Sequence, residues 1–106
     1  MSGRWATSVL RQIRGLAARR KVRFTLKAFQ ELGRLGMGLD EEDACDVLAN
    51  LRPSDLTGRL VSGKTGEWMY VFKPPVAGVV VYVKVVVRAD CVVISFHEEE
   101  DSDEDE

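Results

Sequence analysis

Cysteine, histidine and proline are scarce in this chain, and each scarcity removes a class of protein. The 106 residues include two cysteines (Cys45, Cys91), one histidine (His97) and three prolines. Cys45 and Cys91 sit in apolar patterns without the close spacing of a metal site, so both read as small core residues of a protein in a reducing compartment. With a single histidine and no ligand cluster, no metal and no cofactor is expected. No apolar stretch approaches the ~18 residues that a membrane-spanning helix needs. The N-terminus also lacks the unbroken apolar segment of a secretory signal, and the expected location is the cytoplasm, with no membrane partner. Acid is nearly missing from the first 34 residues, where Glu31 stands alone against nine bases.

The missing acid is found at the other end. Residues 98–106, "EEEDSDEDE", hold eight acidic groups, which leaves nine acids against fifteen bases, about +6, over residues 1–97. The net charge of −2 therefore conceals a basic domain followed by an acidic tail. A hydrophobic fraction of 45% is enough for a folded core. The expected organisation is one domain over 1–97 and a disordered tail over 98–106. A basic domain favours anionic partners such as nucleic acid.

Along the chain, "TSVLRQIRGLAAR" carries Val9, Leu10, Ile13, Leu16 and Ala17 at helical spacing, with Thr7 or Ser8 as the expected N-cap. A second helix is expected after Thr25, with Leu26, Phe29, Leu32 and Leu35 as its apolar set, ending in "GRLGMG". Asp40 is placed to cap a third helix whose first turn holds Glu41, Glu42 and Asp43 and whose apolar face is Ala44, Val47, Leu48 and Leu51. "RPSDLTGRL" reads as a turn with a short helical segment. From Trp68 onward the period falls to two, with Trp68, Tyr70 and Phe72 on one side of a strand. "PPVAG" interrupts, then "VVVYVKVVVR" and "CVVISFH" follow. Helices first and strands afterwards predict an α+β fold, with N-terminal helices packed on a small antiparallel sheet.

One stretch, "GRLVSGKT" at residues 58–65, satisfies the pattern of a nucleotide-binding P-loop. That loop needs a buried strand before it and a helix after it to hold the phosphates. Here "GEWMYVF" follows, with strand character, and too little chain remains for a βαβ unit. A nucleotide cofactor is therefore not expected. The stretch reads as a basic loop between the helical half and the sheet.

The last two strands hold the chemistry. Val79, Val81, Val83, Val85 and Val87 form one apolar face, and Val80, Tyr82, Lys84, Val86 and Arg88 form a mixed one. On the next strand Val92, Ile94 and Phe96 are the expected core set, against Cys91, Val93, Ser95 and His97. A two- or four-residue turn around Ala89-Asp90 keeps the apolar sets together. It pairs Val85 with Ile94, Val83 with Phe96, Lys84 with Ser95 and Tyr82 with His97. Cleaving RNA without metal requires a base for the 2′-hydroxyl, an acid for the 5′-oxygen and cations for the charged phosphorane. Imidazole exchanges protons near neutral pH, a tyrosine hydroxyl donates or positions, and Lys84 with neighbouring arginines suits a phosphate. The same residues also fit an ordinary exposed sheet face with a cross-strand aromatic pair.

Taken in order, "LGMGLDEEDACDVLANLRPSDL", the Trp68 strand, "KPP", "VYVKVVV" and "VVISFH" resemble the MqsR toxins of bacterial toxin–antitoxin systems, from about Val22 to His97. The resemblance implies a RelE-like α+β fold, metal-independent cleavage of mRNA, and neutralisation by a cognate antitoxin. It assigns the family's sheet tyrosine to Tyr82 and the basic residue ending its last strand to His97. A lysine that follows the family's Ser-Asp-aromatic turn falls here on Gly58, with Arg59 next to it, and a glutamine after the strand tryptophan becomes Met69. Together the residues and the resemblance give Tyr82, His97 and Arg59 as the candidate catalytic set. Lys64, Lys73, Lys84 and Arg88 are the candidate substrate-binding cations. A non-catalytic module that binds RNA or a partner protein on the same fold is the alternative.

Overall fold

The three helices form where the sequence supplies apolar stripes, two of them behind side-chain caps, and all contribute to a core against the sheet. A computed structural model describes residues 3–99. The order is α1 (Arg4–Ala18), β1 (Val22–Phe24), α2 (Leu26–Arg34), α3 (Glu41–Ala49), a 3-10 turn (Pro53–Asp55), then β2 (Leu56–Val61), β3 (Trp68–Phe72), β4 (Pro75–Val76), β5 (Val79–Val87) and β6 (Cys91–Glu98). Thr25 caps α2 by accepting from the Ala28 N–H, and Asp40 caps α3 in a reciprocal box with Asp43. The first helix differs from expectation. It begins at Arg4, behind Gly3, and no side chain caps it.

The sheet runs β1-β6-β5-β3-β2, with β4 paired to β5. It is mixed rather than purely antiparallel, because β1 lies parallel to β6. Helix α2 leaves β1 directly through Thr25, whose N–H donates to Val93 O. "LTGRLV" is a strand, β2, rather than the continuation of the short helical turn expected for "RPSDLTGRL". Thr57 is the extra residue of a bulge opposite β3. The P-loop-like stretch thus spans the end of an edge strand and the Ser62–Gly66 turn, whose Gly66 N–H donates to Ser62 O. Gly78 follows Ala77, both with positive φ, in the two-residue turn that joins β4 to β5.

One core joins helices and sheet: Val9, Leu10, Ile13 and Leu16 of α1, Leu32 of α2, Leu48 of α3, and Tyr70, Phe72, Val81, Val83, Val85, Val93 and Phe96 of the strands. In α2 the expected apolar set divides. Leu32 is buried with Ala28, whereas Leu26 and Phe29 are 72% and 52% exposed. Both cysteines are buried and free, and burial pushes the Cys91 thiol up to about 12. Among the described residues no helix is long and apolar enough to cross a membrane. The acidic-tail expectation falls outside the described residues from position 100 on. Glu98 is the last residue of β6, and Glu99 donates its N–H to Val80 O.

Candidate functional site

Two departures from regular strand geometry cancel to place the central pair. The β5–β6 connection is a three-residue loop, Arg88 to Asp90, with Val87 opposite Cys91 and Val85 opposite Val93. Continued regularly, that register would set Tyr82 opposite Phe96, a core ring, and miss the histidine. Ile94 prevents this. It is the extra residue of a bulge in β6, after which Lys84 pairs with Ser95, Val83 with Phe96 and Tyr82 with His97. The expected polar pairs therefore form, but the expected core set does not. Cys91 and Val93 face the core with Phe96, while Val92 and Ile94 are half-buried on the other side of the alternation.

The Tyr82 and His97 rings stack, with centroids 5.0 Å apart and planes 12° from parallel. His97 Nδ1 lies 2.8 Å from Glu98 O, which accepts from that nitrogen when it carries the proton. The face is less open than its polarity suggests. His97 is 6% exposed and Lys84 fully buried, and only Tyr82 of the three is half-buried. A shallow cleft of about 350 Å³ reaches the tyrosine between Thr57, Gly58, Val71 and Lys73. Lys73 Nζ stands 3.1 Å from Glu99 Oε2, so an acidic side chain already neutralises the lysine of that cleft.

On the other flank α2 supplies residues that strand periodicity did not reveal. Lys27 Nζ is 2.9 Å from Ser95 Oγ and 3.1 Å from Glu31 Oε2, and Glu31 Oε1 accepts the Phe96 N–H at 2.9 Å. The single acid among the first 34 residues thus holds the strand that carries Ser95 and His97. Its isolation in a basic segment, four residues from Lys27, was the signal available in the sequence.

Three expected site residues direct their charge elsewhere. Arg59 borders the cleft but pairs with Tyr70, on the helix-bearing face of the sheet. Its guanidinium sits 4.3 Å from the Trp5 ring centroid and 3.9 Å from that of Trp68, a cation–π sandwich that commits it to the two indoles. Lys64 is exposed in the β2–β3 turn. Arg88 is at the β5–β6 loop, six residues and about 20 Å of extended strand from Tyr82. It makes two hydrogen bonds to Glu67, of 2.8 and 2.7 Å.

The Arg88 contact holds the Glu67 carboxyl down at about 2. A carboxyl with a depressed folded-state value adds stability above its ordinary unfolded value, and that contribution disappears as pH falls through about 2. Both groups reach solvent, so the gain is small. A carboxyl titration followed by NMR is expected to find the Glu67 midpoint near 2, moving back toward the ordinary range in Arg88→Ala. A midpoint in the ordinary range for the unsubstituted protein would show that the pair does not persist in solution.

Among the described residues no group of three or more His, Cys, Asp or Glu side chains is placed to hold a metal ion. No curated protein matches the chain. A family profile does, the one described as motility quorum-sensing regulator, toxin of MqsA, and it covers residues 6–98. That span takes in every helix and strand but the first two residues of α1. The chain belongs to the MqsR toxin family, whose members act in a pair with a cognate antitoxin.

Proposed function

We propose that this protein is a metal-independent endoribonuclease that cleaves mRNA in the cytoplasm and is neutralised by its antitoxin. The observation that carries the reading is the stacked Tyr82–His97 pair beside a cleft lined by Lys73. In the proposed reaction His97 takes the proton of a 2′-hydroxyl as its oxygen attacks the adjacent phosphorus. The bond from phosphorus to the 5′-oxygen breaks, and the Tyr82 hydroxyl delivers a proton to that leaving oxygen. Lys73 exchanges Glu99 for the phosphate, while Lys27, paired with Glu31, holds Ser95 on the far flank. Lys64 and Arg88 meet the RNA backbone away from the scissile bond. The acidic run begins inside the domain, at Glu98 on β6 and the adjoining Glu99, and residues 100–106 continue it in sequence.

A specific observation favours the second reading, a non-catalytic module that binds RNA or protein. Met69, at the family's glutamine position, is buried and apolar, Gly58 replaces a lysine, and Arg59 is held between two indoles. The two readings separate on one experiment. Purified protein is incubated with a long RNA in EDTA, with and without the antitoxin. Cut strands that disappear on adding antitoxin are expected. RNA that is bound and left intact would replace the enzyme reading with the module.

A further inference from the structure

Helix α1 presents a surface that the Tyr82–His97 site does not use. Its Arg4–Ala18 span contains Arg4, Arg11 and Arg14 and no acid, and its first turn lacks the carboxylates that the helix dipole favours. Helix α3, by contrast, has three acids in its first turn. Among the described residues Arg11 and Arg14 enter no ion pair, as also holds for Arg4, Arg19, Arg23 and Arg34, whereas Arg20, Lys27, Arg52, Lys73 and Arg88 do; of the unpaired arginines these two line a groove together. Like charges three residues apart repel along a helix, so the fold alone gives no reason for this pair.

Between Arg11, Arg14 and the Pro53–Leu56 segment lies a groove of about 460 Å³, floored by Ala6, Leu10, Pro53 and Leu56. Its floor is aliphatic and contains no aromatic ring. Single-stranded nucleic acid is held by aromatic stacking platforms beside its phosphate contacts, and this groove offers none. An aliphatic side chain fits the floor, and carboxylates beside it complement the two guanidinium groups. The chain's own residues 98–106 supply the charge but contain no aliphatic side chain. The groove opens on the helix side of the sheet, whereas Tyr82 and His97 occupy the other face.

We propose that the groove between α1 and the Pro53–Leu56 segment is a docking site for an acidic protein segment that seats one aliphatic side chain. The site is independent of the catalytic reading and is tested by binding alone. The full chain is titrated with a short fluorescent peptide of aspartate and glutamate around one central leucine, with its leucine-to-serine twin, and with an uncleavable 2′-O-methyl RNA of equal length. The leucine peptide is expected to bind about tenfold more tightly than the serine twin. Arg11→Glu with Arg14→Glu is expected to weaken it by at least about tenfold. Thr7→Trp, an exposed groove-lining position that leaves the core alone, is expected to block it. No binding of the leucine peptide overturns the proposal, as do equal affinities for the two peptides or an unaffected Thr7→Trp. RNA affinity that falls as far as peptide affinity in the double arginine variant would assign the surface to nucleic acid instead.

Discussion

His97→Ala is expected to lower the rate of RNA cleavage by about 10²–10⁴-fold, the usual worth of a positioned proton-transfer group. Removing the imidazole also removes the ring on which Tyr82 stacks, so loss of rate alone does not separate chemistry from positioning. Two comparisons do. Tyr82→Phe keeps the stack and deletes only the hydroxyl, and it is expected to lose rate while retaining RNA affinity. Added imidazole is expected to restore part of the rate to His97→Ala and none to Tyr82→Phe. Tyr82→Phe is expected to melt close to the unsubstituted protein, whereas His97→Ala empties the place of a buried ring and is expected to melt lower, so its rate is compared at a temperature where both are folded. Cleavage by both variants within about threefold of the unsubstituted protein, a difference under ~1 kcal/mol, would remove Tyr82 and His97 from the chemistry.

The burial of His97 bears on that test. A general base must lie within hydrogen-bond reach of the proton it takes, and His97 is buried and stacked against the half-buried Tyr82. The cleft at Thr57, Gly58 and Lys73 leads to the tyrosine. Gly58 lines that cleft, and a Cβ there would meet nothing within 4 Å.

Single-residue cap signals located the second and third helices, although the Thr7 or Ser8 cap expected for the first is not used. Thr25 and Asp40 cap their helices because a short oxygen-bearing side chain satisfies an otherwise free N–H. The Tyr82–His97 and Lys84–Ser95 pairs form as expected but not by the expected route, since a three-residue loop and the bulge at Ile94 together restore the register that a two- or four-residue turn would have given. Features that depend on distant partners were not legible. Arg59 takes its direction from Trp5, a residue of α1 more than fifty positions away in sequence. Leu26 and Phe29 looked like core because helical spacing cannot show that α2 packs at the edge of β6 through Glu31. Strand β2 is weakly signalled because Gly58 interrupts a short run that directly follows the Pro53–Asp55 turn, and its pairing with β3 overrides that weakness.

The bulge at Ile94 reverses which neighbour faces the core. Plain alternation puts Ile94 inside and Val93 outside. The observed register puts Val93 opposite Val85, fully buried, and leaves Ile94 half-buried. Val93→Asp places a carboxylate among Val85, Phe96 and the helix residues with no counter-charge in the core cluster. An uncompensated buried charge costs several kcal/mol, at least ~4, against a net stability of roughly 5–15 kcal/mol for a domain of this size. Val93→Asp is therefore expected to unfold, or to melt far below the unsubstituted protein. Ile94→Asp keeps part of its side chain in water and is expected to cost about 1 kcal/mol. Urea denaturation of the two variants measures the difference directly. Equal costs, or a larger cost at Ile94, would mean that β6 runs without the bulge. Tyr82 and His97 would then owe their pairing to a two- or four-residue turn, and the core would contain Ile94 in place of Val93.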